Sequence, residues 1–305
     1  SGFRWAEVRG LLRQPGREAA PVLRLRRNFR SVAPLVGLAN ALLGLRRELF
    51  GRGDEDEPEE AVAEGPIPVH VAAPEGEVLE AIAGFGPRSA LLVLEEAEAE
   101  RLRKELQTTR VFTVPEAKGL EFETAILWEP LSAGGTGLAR LLRGEANLER
   151  DARLKRFLQH LYVAVTRARR HLALYEGVEP HPFWALERFR GRLEQEGAAA
   201  LPRLFRSTAS PEEWGKEGLW YRKRGRLRQA AECFRRAGQP RQEREALALF
   251  AESVEEWAEA AACWEALGER GRLAPVLERL GRLEEAAALY KETGNAAAAA
   301  LCEAR

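Results

Sequence analysis

Residues 161–168 read LYVAVTRA and run on as RRHLALY to Tyr175. Leu161, Tyr162, Val163 and Val165 make an apolar helical run that closes on Thr166-Arg167-Ala168, and a β-type run, Leu172 to Tyr175, comes next. A helix that ends on one arginine, with a strand behind it to fix the angle, is a way to aim a guanidinium. Arginine suits that task because it stays charged and its fork of N–H donors matches the oxygens of a phosphate. The competing reading is one more surface arginine on an amphipathic helix, since a short motif by itself is weak evidence.

Two further stretches stand upstream, TVPEAKGLEF at residues 113–122 and LRRNFRS at residues 25–31. Taken in order, the three resemble motifs IV (LRRNFRS), V (TVPEAKGLEF) and VI (LYVAVTRA) of the UvrD/Rep-like superfamily 1 helicases. Three ordered matches are far more specific than any one of them. The resemblance implies a RecA-like α/β parallel sheet, the second helicase domain, which carries no phosphate loop of its own. Indeed no G-x-x-x-x-G-K-[ST] occurs in the chain, and Lys118-Gly119 is not one. It further implies ATP as cofactor, with Arg30 and Arg167 facing the γ-phosphate as catalytic residues. Glu121 would bond the ribose, with Lys118 and Gly119 beside it in the nucleotide-binding loop. Single-stranded DNA, or RNA, would touch Thr113, and also Phe3 and Trp5, which stand where the family has the stacking aromatics at the tail of motif III. The phosphate loop, the Mg²⁺ ligands and the water-activating Glu would come from an absent first RecA-like domain. Departures from the pattern are Phe29 for the usual Tyr and Pro115 where His is common. The acidic and Gln residues that normally precede the motif III tail are also missing, so the chain reads as cut from a larger protein.

Bulk properties fit a soluble globular protein. Of 305 residues, 45% are apolar and 31% charged, which excludes disorder and leaves room for two domains. Lys+Arg and Asp+Glu are both 47, so only local basic surface, such as residues 24–30 and 167–170, is available to a polyanion. Nothing in the sequence suggests a membrane span or a signal peptide, and the expected location is cytoplasmic. Three cysteines without a C-x-x-C, and four scattered histidines, argue against a disulfide framework or a metal site.

Along the chain, Val22 to Leu25 reads as a strand, and Asn28 to Ser31 opens a helix with Ser31 as its cap and Pro34 in its first turn. Residues 51–66 read as a mobile acidic loop. Strands are expected at 69–71, 89–94, 111–114 and 124–128, with helices near 77–83, 96–106 and 151–165. Gly134 to Gly137 reads as a flexible loop. The alternation implies a parallel sheet whose carboxyl edge binds the nucleotide, with motifs IV, V and VI converging there. Residues 31–113 hold one such set of elements, so the accessory domain many of these helicases insert is absent or vestigial.

A helical segment over 183–196 and a loop over 198–211 read as a linker. Beyond it the chain repeats: Ala230-Ala231-x-x-Phe234, Ala260-Ala261-x-x-Trp264 and Ala286-Ala287-x-x-Tyr290, each followed by Gly. Small residues let helices approach, the aromatic fills the gap and Gly ends the helix. This is similar to tetratricopeptide (TPR) repeats, with a shorter and less regular period than the usual ~34 residues. Cys233 and Cys263 read as core residues beside the aromatic. Helicase motifs followed by such repeats also resemble a region of eukaryotic proteins with tetratricopeptide and ankyrin repeats.

The expected organisation is a RecA-like domain over 1–178, a linker over 179–211 and an all-α repeat domain over 212–305. The expected function is the C-terminal part of an ATP-dependent superfamily 1 DNA helicase or translocase, inactive as an isolated fragment. Its expected partners are single-stranded DNA, the missing first domain and a protein bound to the repeats. The alternative is a non-catalytic scaffold, a degenerate helicase domain carrying the repeat module.

Overall fold

The computed structural model describes residues 26–51, 57–205 and 209–304. Phe3, Trp5 and the strand expected at Val22 to Leu25 lie outside them. The chain divides into two compact units. The first takes in the residues up to Ala83, Ser89–Leu102 and Val111–Phe205; the second takes in Gly84–Arg88, Arg103–Arg110 and the helices from Pro211 onward.

The first unit is α/β. Its main sheet has six parallel strands in the order β5-β4-β6-β7-β3-β8. These are β3 (Val69–Val71), β4 (Ser89–Val93), β5 (Val111–Thr113), β6 (Phe122–Trp128), β7 (Ala168–Tyr175) and β8 (Glu194–Glu196). The central strands are continuous apolar runs because both faces are covered; Leu91, Leu92, Ala125, Ile126, Leu127 and Leu174 are fully buried. A smaller parallel pair joins β1 (Arg27–Val32) to β2 (Glu60–Ala63). The helices of this unit are α1 (Ala33–Phe50), α2 (Glu75–Ile82), α3 (Glu96–Glu105), α4 (Gly135–Leu142), α5 (Ala152–Val165) and the short α6 (Leu201–Leu204).

Four local expectations change here. Residues 28–31 are strand, not helix, because β1 must stay extended to pair with β2. Val32 occupies the N-cap of α1, and the Ser31 hydroxyl donates instead to the Ala168 carbonyl at 2.9 Å. The acidic segment is no plain loop, since it supplies β2. Gly134 to Gly137 leads into α4, and its glycine serves a close approach. A Cβ on Gly137 would stand 3.0 Å from the Asp151 carboxylate and 3.1 Å from Leu154. Residues 183–196 form two 3-10 turns, Pro182–Ala185 and Glu187–Phe189, and then β8. Phe183, Trp184 and Phe189 bury their rings against one another at 4.9–5.2 Å, and β8 pairs with β3 as an edge of the sheet.

The second unit contains α7 (Pro211–Arg222), α8 (Leu227–Arg236), α9 (Pro240–Ser253), α10 (Trp257–Leu267), α11 (Arg270–Arg279), α12 (Leu283–Glu292) and α13 (Ala296–Glu303). Consecutive helices pack as pairs, and the Ala pairs and aromatics of α8, α10 and α12 are buried, as their spacing predicts. Close approach is built in: a Cβ on Gly218 of α7 would lie 2.7 Å from the Phe234 ring. The Trp264 indole N–H donates to Glu252, and the Tyr290 hydroxyl donates to Glu278 at 3.2 Å. Each acceptor sits at the end of the preceding helix; at the matching place before Phe234, whose ring has no donor, stands Arg222.

Arg110, fully buried, closes this unit. Its guanidinium lies between the rings of Phe85 (4.2 Å) and Trp214 (4.6 Å) and donates to the carbonyls of Gly86 and Phe85 at 2.6 and 2.7 Å. It also meets Glu232 at 3.4 Å, and Glu232 accepts from the Thr108 hydroxyl and from the Thr109 N–H and hydroxyl. Burial alone would raise the Glu232 carboxyl, but Arg110 and these donors outweigh it and hold it below its ordinary range.

Candidate functional site

Arg167 is aimed by α5. Asp151 caps the helix, accepting from the N–H groups of Arg153 and Leu154, and Leu154, Phe157, Leu158, Leu161, Ala164 and Val165 anchor one face of it. The chain then turns directly into β7, and the Arg167 carbonyl accepts from Phe122 N–H at 2.9 Å at the start of β6. The guanidinium donates to the carbonyls of Val163 and Leu120, both at 3.2 Å, and to the Thr166 hydroxyl at 3.3 Å.

Arg30 arrives from β1. The Asn28 side-chain oxygen accepts from Arg30 N–H and Ser31 N–H, both at 2.8 Å, and the Ser31 hydroxyl bond to Ala168 pins β1 beside the residue that follows Arg167. The Arg30 guanidinium reaches Glu121 at 3.5 Å, with side chains 32% and 38% exposed. Its Nε is buried and has no hydrogen-bond partner among the described residues. Burial lowers the pKa of Arg167 below the usual arginine value, the facing charge of Arg30 lowers it further, and Glu121 opposes both. Both guanidiniums face the Glu121 carboxylate. Their N–H donors suit the oxygens of a phosphate.

Glu121 immediately precedes β6 and Arg167 immediately precedes β7, so the cluster stands at the amino ends of these parallel strands. The expectation that all three motifs meet at the carboxyl edge is corrected. The loop after β5 crosses the whole sheet, because it must return to the amino end before β6 can run parallel. Thr113, the last residue of β5, is left at the opposite edge, buried, with its N–H and hydroxyl donating to Glu116 at 2.8 and 3.2 Å. Lys118 and Gly119 lie exposed on the loop between, where Gly119 takes φ +80, a conformation that favours glycine. Pro115 sits in a turn closed by Lys118 N–H on its carbonyl, where its missing N–H costs nothing.

No family model matches the chain. TPR and ankyrin repeat-containing protein 1 of Homo sapiens is 24% identical over 307 residues, which is 81% of this chain and 10% of that protein. The chain thus spans about a tenth of the length of that relative. Among solved structures, the C-terminal domain of a possible DNA helicase from Lactobacillus plantarum WCFS1 is 21% identical with a TM-score of 0.35, over 55% of this chain and 98% of that one.

Residues that the motifs do not mark also shape the site. Asn28 and Glu59 hold the backbone at Arg30, and Glu116 holds the start of the loop. Tyr162, one turn before Thr166, is raised above the usual tyrosine pKa by burial and by Glu59, against Arg30, Arg46 and Arg167. The N-F-R-S spacing places Asn28 near Arg30, but nothing in a run of loop acids singles out Glu59. Among the described residues no group of three or more His, Cys, Asp or Glu is placed to hold a metal ion. No described helix is long and apolar enough to cross a membrane.

Proposed function

We propose that this chain is the arginine-bearing half of a composite ATP site in a superfamily 1, UvrD-like helicase or translocase. On this reading the first unit is a second RecA-like domain, and its amino-edge cluster closes on ATP held by a domain with a phosphate loop. One observation carries the reading: Arg30 and Arg167, far apart in sequence, face the same carboxylate, Glu121. ATP, with Mg²⁺ held by the other domain, supplies the transferable phosphoryl group. Arg30 and Arg167 take up charge that develops on the phosphate oxygens, a role worth about 10³–10⁵ in rate where it has been measured. Glu121 accepts from a ribose hydroxyl, with Lys118 and Gly119 at the rim. Thr113 and the aromatics Phe3 and Trp5 contact single-stranded nucleic acid, which ATP-driven domain closure moves. The helical unit, read as TPR-like, binds a protein partner.

The scaffold reading is the rival, and the repeat-protein name of the human relative favours it. Nucleic-acid-stimulated ATP hydrolysis by a longer protein that joins this chain to a phosphate-loop domain, as the first reading requires, separates the two. Turnover that depends on Arg167 supports the enzyme; an intact protein with no turnover supports the scaffold.

A further inference from the structure

Asn28 is the centre of a short hydrogen-bonded chain beside Arg30. Its side-chain oxygen holds the backbone N–H groups of Arg30 and Ser31, the stretch from which the guanidinium projects. That requires the amide to point its oxygen inward, and the direction is decided by what the nitrogen meets. The nitrogen donates to the Glu59 carboxylate, which only accepts, so the contact selects one orientation. Glu59 is itself fixed: its N–H donates to Asn40 Oδ1 at 3.0 Å, and its carbonyl accepts from Asn40 Nδ2 at 2.8 Å. Asn40 stands on α1, which Leu35, Leu38, Leu42 and Leu43 bury in the core. The pairing of β2 with β1, and the bond from Glu60 N–H to the Arg26 carbonyl at 2.8 Å, hold the same segment from its other side.

We propose that Glu59, seated by Asn40, is a positioning residue for Arg30: its carboxylate orients the Asn28 amide and, through it, the strand that presents the guanidinium beside Arg167 and Glu121. The effect on turnover rests on the reading of Arg30 as phosphate-facing; the effect on the backbone does not. Two measurements keep them apart. In the 305-residue chain, Glu59→Ala should speed amide hydrogen exchange at Arg30 and Ser31 by about tenfold or more, with the β4 amides unchanged. Glu59→Gln, whose amide oxygen can still accept from Asn28, should restore exchange to within about twofold. In the longer protein, Glu59→Ala should lower kcat for ATP by about 10- to 100-fold with KM nearly constant, and Gln should rescue it. On an Arg30→Ala background, Glu59→Ala should add nothing further, because both act through one group. Unchanged exchange at the two amides, or additive losses in the double variant, overturns the proposal. Faster exchange together with normal turnover in Arg30→Ala upholds the Glu59 contact and removes the phosphate role from Arg30.

Discussion

Arg167 spends three donors on Val163, Leu120 and Thr166 and still faces the charge of Arg30, opposed by Glu121. Arg30→Ala and Arg167→Ala are each expected to lower kcat by about 10³-fold or more while changing ATP affinity much less. Arg167→Lys should not rescue, since an ammonium cannot reproduce the planar fork. Steady-state kinetics of the longer protein check both, and normal turnover in either variant removes that residue from the site. A second prediction concerns Glu176, just after β7, which burial pushes up to about 8 although Leu131 N–H donates to it. The native state then holds a proton between about pH 4.5 and 8 that the unfolded chain has released, so this group costs stability as pH rises through that window. Glu176→Gln should match the wild type near pH 5 and exceed it at pH 8 by up to a few kcal/mol. Urea melts at the two pH values check this; a constant difference would refute it. His70, buried on β3 with neither ring nitrogen partnered among the described residues, acts in the opposite direction. Burial lowers its pKa below 6.5, so stability is lost as pH falls below that value and the unfolded chain takes up the proton. Arg30, Glu121 and Arg167 could be singled out from the sequence because each sits inside an ordered motif, and the fold sets Arg30 and Glu121 3.5 Å apart. Glu59, Tyr162 and Glu176 could not be, since their roles arise from what tertiary packing places next to them.

The elements that read most clearly were those whose burial is uniform. β4 and β6 are apolar runs with both faces covered, and α5 shows one apolar stripe from Leu154 to Val165. The elements that misled were short or formed by non-local pairing. β1 and β2 exist because they pair with each other across α1, which no local pattern at residues 28–31 or 60–63 announces. β8, Glu-Gln-Glu, has no apolar residue at all and is strand only because β3 offers it an edge. In the helical unit the repeated Ala-Ala-x-x-aromatic was sufficient, because small and large residues on one stripe can be buried only by a neighbouring helix. Trp264, 3% exposed, is the test of that packing. Trp264→Ala should cost about 3–5 kcal/mol, as other buried aromatics do. Trp264→Phe should keep most of the packing but lose the indole donor to Glu252, at about 1 kcal/mol. Thermal and urea melts of the helical region give both values; a Trp264→Ala variant that melts with the wild type would contradict the repeat packing.

A composite ATP site, as proposed for the whole molecule, requires an amino-edge cluster that recognises phosphate and a partner domain that carries the rest of the site. The motif order suggests the first and the missing phosphate loop suggests the second. The sequence put the meeting point at the carboxyl edge, because a motif that spans a whole strand-to-strand loop does not by itself say which end of the loop joins the cluster. With no phosphate loop in its sequence, the 305-residue chain by itself is expected to hydrolyse no ATP, and Arg167-dependent turnover by that chain would refute the division of labour. Single-turnover ATP hydrolysis by the longer protein, saturated with single-stranded DNA, with and without Arg167→Ala, tests the role of the arginines most directly. The chemical step should slow by about 10³-fold or more in the variant while nucleotide still binds. An unchanged single-turnover rate would remove Arg167 from the chemistry.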